Sequence, residues 1–164
     1  MLVHIGDLGE SGYNSLEDWL LASERHLYIG RNLAQFLGKS ELAEFTHTRK
    51  SPFVDEGLVK DIGCPKKLRL IKAIQASRFW ACPYNNDGER TDALTHYKSF
   101  VQRTGRRRYA KLLEGATFAC WCKKPMACHG QYLITMAEES RQEHRNSLAH
   151  YFSSPYVFIR QSQT

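Results

Sequence analysis

The chain has 164 residues, of which 42% are hydrophobic and 24% charged; that is a globular composition, long enough for one domain with its own core. Lys and Arg outnumber Asp and Glu by 23 to 17, a net charge of +6. An anionic partner suits that balance, although many basic domains bind no polymer. No apolar run approaches the roughly 18 residues of a membrane span. Met1 to Asp7 holds neither a basic segment nor a long apolar stretch, so we expect no secretory signal and no membrane partner.

In chain order, Leu2 to Ile5 reads as a short strand. Gly6, Gly9 and Gly12 follow; their spacing matches neither dinucleotide nor P-loop patterns and reads as a flexible turn. Ser15 is an N-cap for a helix with Leu16, Trp19 and Leu20 at i, i+3 and i+4. His26 to Gly30 reads as a second strand, giving a βαβ start. Asn32 to Phe45 reads as a broken helix, and Ser51-Pro52-Phe53 interrupts the chain. Pro65 suits the first position of a helix carrying Leu68, Ile71, Ile74 and Phe79. Cys82-Pro83 to Asp87-Gly88 reads as a turn. Glu89 to Arg103 reads as a helix with Leu94, Tyr97, Phe100 and Val101 on one side, and Arg106 to Leu113 as a further short one. Ala116 to Cys122 is compact and uncharged, as expected of a buried central strand. Gln131 to Gln142 is a helix and Tyr156 to Ile159 a last strand.

Five cysteines are an odd set, and three of them fall between positions 120 and 128. Secreted disulfide scaffolds normally use an even set at wider spacing, so a reducing, cytoplasmic compartment is expected. In a strand, Cys120 and Cys122 share one face and Trp121 takes the other. A turn at Pro125 can bring Cys128 and His129 back to that strand end. Three readings stay open for this cluster. Cys120, Cys122, Cys128 and His129 form a Cys3His set suited to tetrahedral zinc, though the spacing is not that of a standard finger. Alternatively, the site is catalytic or anion-binding: Cys128 as nucleophile, His129 as base, and Lys123, Lys124 and the amides to Gly130 holding charge at a helix start. The bland reading is that buried thiols pack as small hydrophobes.

Gly30 and Arg31 directly follow a strand, where ligands bind in open α/β sheets, and a guanidinium forks onto two phosphate oxygens. Arg106, Arg107, Arg108 and Tyr109 are the densest basic stretch. They could track a nucleic-acid backbone with Tyr109 stacked on a base, or be a solvated helix face. No carboxylate pair has the spacing of a catalytic dyad, and the remaining histidines are scattered.

The run Cys120-Trp121-Cys122-Lys123-Lys124-Pro125-Met126-Ala127-Cys128-His129-Gly130, followed by Tyr132-Leu133, resembles the CWC-x-P-x-x-CHG signature of domain-of-unknown-function family 4326, with one residue inserted before Pro125. Tyr28-Ile29-Gly30-Arg31 resembles the family's YIGR segment. Ser51-Pro52-Phe53 stands where the family has GNPF, but some twenty residues separate the two segments instead of a handful. The resemblance spans about residues 26–135. It implies an intracellular α/β domain and a functional Cys120, Cys122, Cys128 and His129, in a family found in bacteria, phages and other viruses; it implies no substrate.

We therefore expect a single α/β domain over 1–164, Rossmann-like, with a mainly parallel sheet flanked by helices and a C-terminal extension over 143–164. The leading expectation for function is binding, and conceivably processing, of a phosphate-bearing ligand, nucleotide or nucleic acid, at the Cys/His cluster. The alternatives are a non-enzymatic zinc-stabilised module binding nucleic acid or protein, and a degenerate family member with a structural or assembly role in a virus. The sequence sets no oligomeric state.

Overall fold

The computed structural model describes residues 1–39, 41–42, 64–84, 90–122 and 128–153. Strand β1 is Leu2–His4, followed by a 3-10 turn at Ile5–Asp7, helix α1 at Leu16–Ala22, strand β2 at His26–Tyr28 and helix α2 at Leu33–Phe36. Helix α3 is Pro65–Trp80, α4 Arg90–Arg103, a 3-10 segment Arg106–Leu113, strand β3 Thr117–Cys120, and α5 His129–Ser153.

The local signals act as their chemistry requires. Ser15 Oγ accepts the Asp18 N–H at 3.0 Å, satisfying one orphan donor at the start of α1. Leu16, Trp19 and Leu20 are all buried. Pro65 opens α3 at a position where its missing N–H costs nothing. Glu17 accepts Lys39 at 3.5 Å and Lys66 at 3.8 Å, two half-exposed ion pairs worth little each.

The sheet has three parallel strands in the order β1-β3-β2. The last strand in the chain is thus the central one, with Leu2 and Leu27 both level with Phe118. Alternation along β3 divides the core. Phe118 and Cys120 face a layer built from α4, the 3-10 segment and α5, where Tyr97, Val101, Leu113, Leu133 and Met136 are buried. Ala119 faces the other layer, with Leu16, Trp19, Leu20, Leu33, Ile71 and Ile74. An uncharged central strand covered on both faces is what the sequence leads one to expect.

The mixed α/β class holds, and so does the parallel sheet. Several boundaries differ. The strands at 2–4 and 26–28 are shorter than expected. Helix α3 buries more than one stripe because its first half packs with Leu16 and Leu20 while Ala76 and Trp80 reach the opposite layer. The Arg106 segment winds as a 3-10 helix behind Gly105, which takes the left-handed φ of 66°. Helix α5 starts two residues early and continues to Ser153, so the expected extension from 143 begins inside a helix. The expected strand at 156–159, the Ser51-Pro52-Phe53 break, the far half of the 32–45 helix and the Asp87-Gly88 turn lie outside the described residues. Among the described residues, no helix is long and apolar enough to cross a membrane.

The chain leaving β2 is pinned. Ile29 N–H donates to the Ala119 carbonyl at 3.0 Å, extending the ladder. Ser77 Oγ, fully buried on α3, donates to the Gly30 carbonyl at 2.6 Å. Tyr28, also buried, folds its ring beneath Gly30: a Cβ there would lie 2.1 Å from the Tyr28 hydroxyl oxygen. Gly30→Ala must displace that ring, and we expect a loss of about 1–3 kcal/mol in urea unfolding. Gly9→Ala, with nothing within 4 Å of its Cβ, should stay within about 0.5 kcal/mol of the parent. Equal stabilities for the two variants would contradict this packing.

Candidate functional site

Because all three strands run parallel, their carboxyl ends leave at one edge of the sheet. That edge delivers His4 from β1, Ile29 to Arg31 from β2, and Trp121 and Cys122 from β3. A cleft of about 790 Å³ opens there. Gly30, Arg31, Asn32, Gln35 and Phe36 line one side; Cys82, Tyr84, Ala93 and Leu94 come from the end of α3 and from α4; Cys120, Trp121, Cys122 and His129 complete the wall. Placement of a ligand cleft at this edge is the general behaviour of open α/β sheets.

Cys120, Cys122 and Cys128 converge. Their sulfurs lie within 4.8 Å of one another, with Cys120 and Cys128 buried and Cys122 half-buried on the cleft. Cys120 Sγ and Cys128 Sγ are 3.2 Å apart, far beyond a covalent S–S bond, and all three thiols are free. The strand holds Cys120, and the start of α5 brings Cys128 back onto it. Contact with the neighbouring thiols Cys120 and Cys128, and with His129, pulls the Cys122 thiol well below its ordinary value. Contact with Cys120 and Cys122, with burial, pushes Cys128 up; contact with Cys122, with burial, pushes Cys120 up to about 11 against an opposing contact with Cys128. One negative charge is thereby favoured at Cys122 while its two neighbours stay protonated as donors.

His129 lies at the first turn of α5, beside the cluster. Its Nε2 is 2.9 Å from the Ile29 carbonyl oxygen. A carbonyl only accepts, so Nε2 carries a proton, and the ring also contacts the Cys122 thiol. Tyr97, buried on α4, meets the ring edge-on at 5.0 Å, and its hydroxyl donates to the Trp80 carbonyl at 2.6 Å.

Other expected site residues fall differently. Gly130 is buried away from the cleft. Its N–H donates to Cys128 Sγ at 3.3 Å, so it offers nothing to an anion. A glycine is required there by close approach, since a Cβ would meet Ile29 and Leu2 at 2.7 Å. Cys128 is sealed as well, so the geometry offers Cys122, not Cys128, to a substrate. Lys123 and Lys124 lie outside the described residues.

In the basic stretch, Arg106 is half-buried while Arg107 and Arg108 are exposed. The Arg106 guanidinium lies 4.6 Å and 4.3 Å over the Phe79 and Phe100 rings and donates to the Phe79 carbonyl. Burial lowers its pKa. Arg107 pairs with Glu139 at 2.9 Å and Glu143 at 3.6 Å. Arg108 sits over Tyr109, whose ring abuts Phe79 edge-on at 5.4 Å. Sequence reasoning missed Asn32, Gln35, Phe36 and Tyr84 as cleft residues. Asn32 carried a readable signal: it is a residue that tolerates the left-handed region, and it sits there at φ 58° immediately after Arg31.

Thiol accessibility follows from this geometry. In metal-free protein we expect iodoacetamide to label Cys122 before Cys120 and Cys128. A depressed thiol stays ionised at every pH above its own value, so Cys122 labelling should be nearly flat from pH 8 down to pH 6. Labelling of Cys120 should rise only toward about pH 11. Mass mapping that finds Cys128 labelled first would contradict the arrangement.

Neither a search of curated proteins nor one of solved structures returned a match. The family model described as Domain of unknown function (DUF4326) matches residues 22–139. The matched region exceeds half the chain, contains the whole 26–135 segment, and takes in β2, β3 and the three converging cysteines. The chain belongs to this DUF4326 family of unknown function.

Proposed function

We propose that the cleft binds a phosphate-bearing ligand, a nucleotide or a nucleic-acid end, and that Cys120, Cys122 and Cys128 form a zinc site in its wall. The observation that carries the first half is the charge of the lining: among the described lining residues there is one arginine, Arg31, and no carboxylate. In a chain of net charge +6, that arginine at the strand exits is the group that would meet an anion. We read the parallel sheet with helices on both faces as a reduced Rossmann-like arrangement, in which phosphate belongs at the strand exits.

The sulfur geometry carries the second half. Thiolates bound to one tetrahedral zinc at about 2.3 Å stand about 3.8 Å apart, a spacing the three cysteines can reach with small shifts. The imidazole of His129, expected as a fourth ligand, is not among the groups within 4.8 Å, so the trio would leave the fourth position of a zinc ion open. Zinc there would tie β3 to α5 and polarise an oxygen of a ligand in the cleft. Any covalent processing would fall to Cys122, the half-buried member of the trio on the cleft wall. Binding of a nucleic-acid backbone by the 106–109 stretch has less behind it, since Arg106 is folded onto Phe79 and Arg107 is paired at the surface with Glu139 and Glu143. A purely structural role in a virus has no observation of its own in the site.

Two measurements test these halves. Arg31→Gln, an exposed change, should weaken ATP binding about tenfold or more by calorimetry, the worth of a hydrogen bond to a charged group. Unchanged affinity removes Arg31 from the site. Protein purified without chelator should carry one zinc per chain by elemental analysis, and Cys120→Ser should lose it; a zinc-free parent protein overturns the metal reading.

A further inference from the structure

Two large aromatic side chains stand half in water at the mouth of the cleft: Phe36 is 49% exposed and Trp121 50%. They come from distant parts of the chain, α2 and the residue after β3, yet their rings meet edge to face at 5.3 Å. Trp121 is held on its other side by His4, whose ring lies edge-on at 6.1 Å and whose Nε2 is 3.3 Å from the Trp121 carbonyl oxygen. Phe36 in turn lies over Tyr28 at 6.4 Å, nearly parallel. The two rings are therefore supported from below and open above. Exposed indole and phenyl faces cost hydration, and a paired, preorganised lip is a feature associated with binding.

Resting on the phosphate reading of this cleft, we propose that Phe36 and Trp121 form a stacking platform for a nucleobase, so that the ligand is a nucleotide and not a simple phosphate or phosphosugar. Three observations converge on that occupant. The lip is continuous with a cleft lined by Arg31, which supplies the charge for the phosphate end. The amides of Asn32 and Gln35, between the arginine and Phe36, can donate and accept at a base edge; Asn32 makes no helix-capping bond with its side chain. A volume of about 790 Å³ lies within the range that takes a mononucleotide. Stacking on aromatic faces is tolerant of base identity, so modest selectivity among bases follows.

The protein's own tryptophans supply the readout. Trp19 and Trp80 are 2% and 1% exposed, which leaves Trp121 as the solvent-facing indole. Titration with ATP should quench the red-shifted part of the emission, and Trp121→Phe should abolish the quench while retaining binding by calorimetry. Trp121→Ala should weaken ATP about 5- to 150-fold, the usual worth of one stacked base, and leave inorganic tripolyphosphate unchanged. Phe36→Ala should act in the same direction. ATP should bind at least tenfold more tightly than tripolyphosphate to the parent chain. If tripolyphosphate binds as tightly as ATP and Trp121→Ala alters neither, the platform is wrong while the phosphate site stands. If neither probe binds, both readings fall. A thymidine octamer serves as a further arm: tighter binding than ATP, lost in Trp121→Ala, identifies the base source as a single strand. Octamer binding that survives Trp121→Ala overturns the platform.

Discussion

The parallel pairing of β3 between β1 and β2 is the constraint from which the site follows. Parallel strands must all leave the sheet on the same edge, so backbone hydrogen bonding alone brings the ends of three remote segments together. The central place goes to Thr117–Cys120, the strand with three buried residues of four, covered on both faces. Its exit therefore emerges from the middle of the molecule, where a cysteine can be buried at position 120 and another exposed to a cleft two residues later. A site built at an outer strand would have had solvent on one side and could not have held three sulfurs within 4.8 Å.

Packing and chemistry compete for the same few residues around that exit. Gly130 packs against Ile29 and Leu2 and gives its amide to Cys128, which removes both from ligand contact but fixes the first turn of α5. That sacrifice holds the Cys128 sulfur against Cys120. The negative charge of the trio is then best carried by Cys122, the member nearest the cleft, because its neighbours can each donate an S–H toward it. Burial of two thiols thus prepares the third, whether the partner is a metal ion or an electrophile.

How much of this was legible depended on whether a contact is local in the chain. The Ser15 cap and the Leu16, Trp19, Leu20 stripe are local, and they folded as read. The expected strand at 116–122 forms over the shorter Thr117–Cys120, and Cys120, Cys122 and Cys128 converge as read while His129 stays outside that trio. The basic stretch at 106–109 was legible as charge but not as structure: Arg106 finds Phe79 and Phe100, aromatic rings supplied by two other helices, and a guanidinium flanked by rings is a packing element as much as a cation. Phe36 was illegible for the same reason. In sequence it is one apolar residue in a broken helix; beside Trp121 it becomes half of an exposed pair.

His129 shows how tightly the cleft is tied to the fold. Its Nε2 proton is held by the Ile29 carbonyl just beyond β2, and its ring is braced by Tyr97 from α4. Tyr97 is itself fixed by the Trp80 carbonyl at the end of α3, and burial pushes its phenol far above the ordinary range, so that hydroxyl remains a donor at any pH the fold survives. Four elements thus fix one imidazole orientation. The placement of the His129 ring beside Cys122 is a product of the whole packing arrangement and not of the Cys-His dipeptide. Cys128 and His129 are adjacent in sequence, and neighbouring side chains diverge. Here the divergence is useful: Cys128 turns inward to Cys120, His129 turns outward to Ile29 and the cleft, and the helix start between them joins the sulfur trio to the ligand side of the sheet.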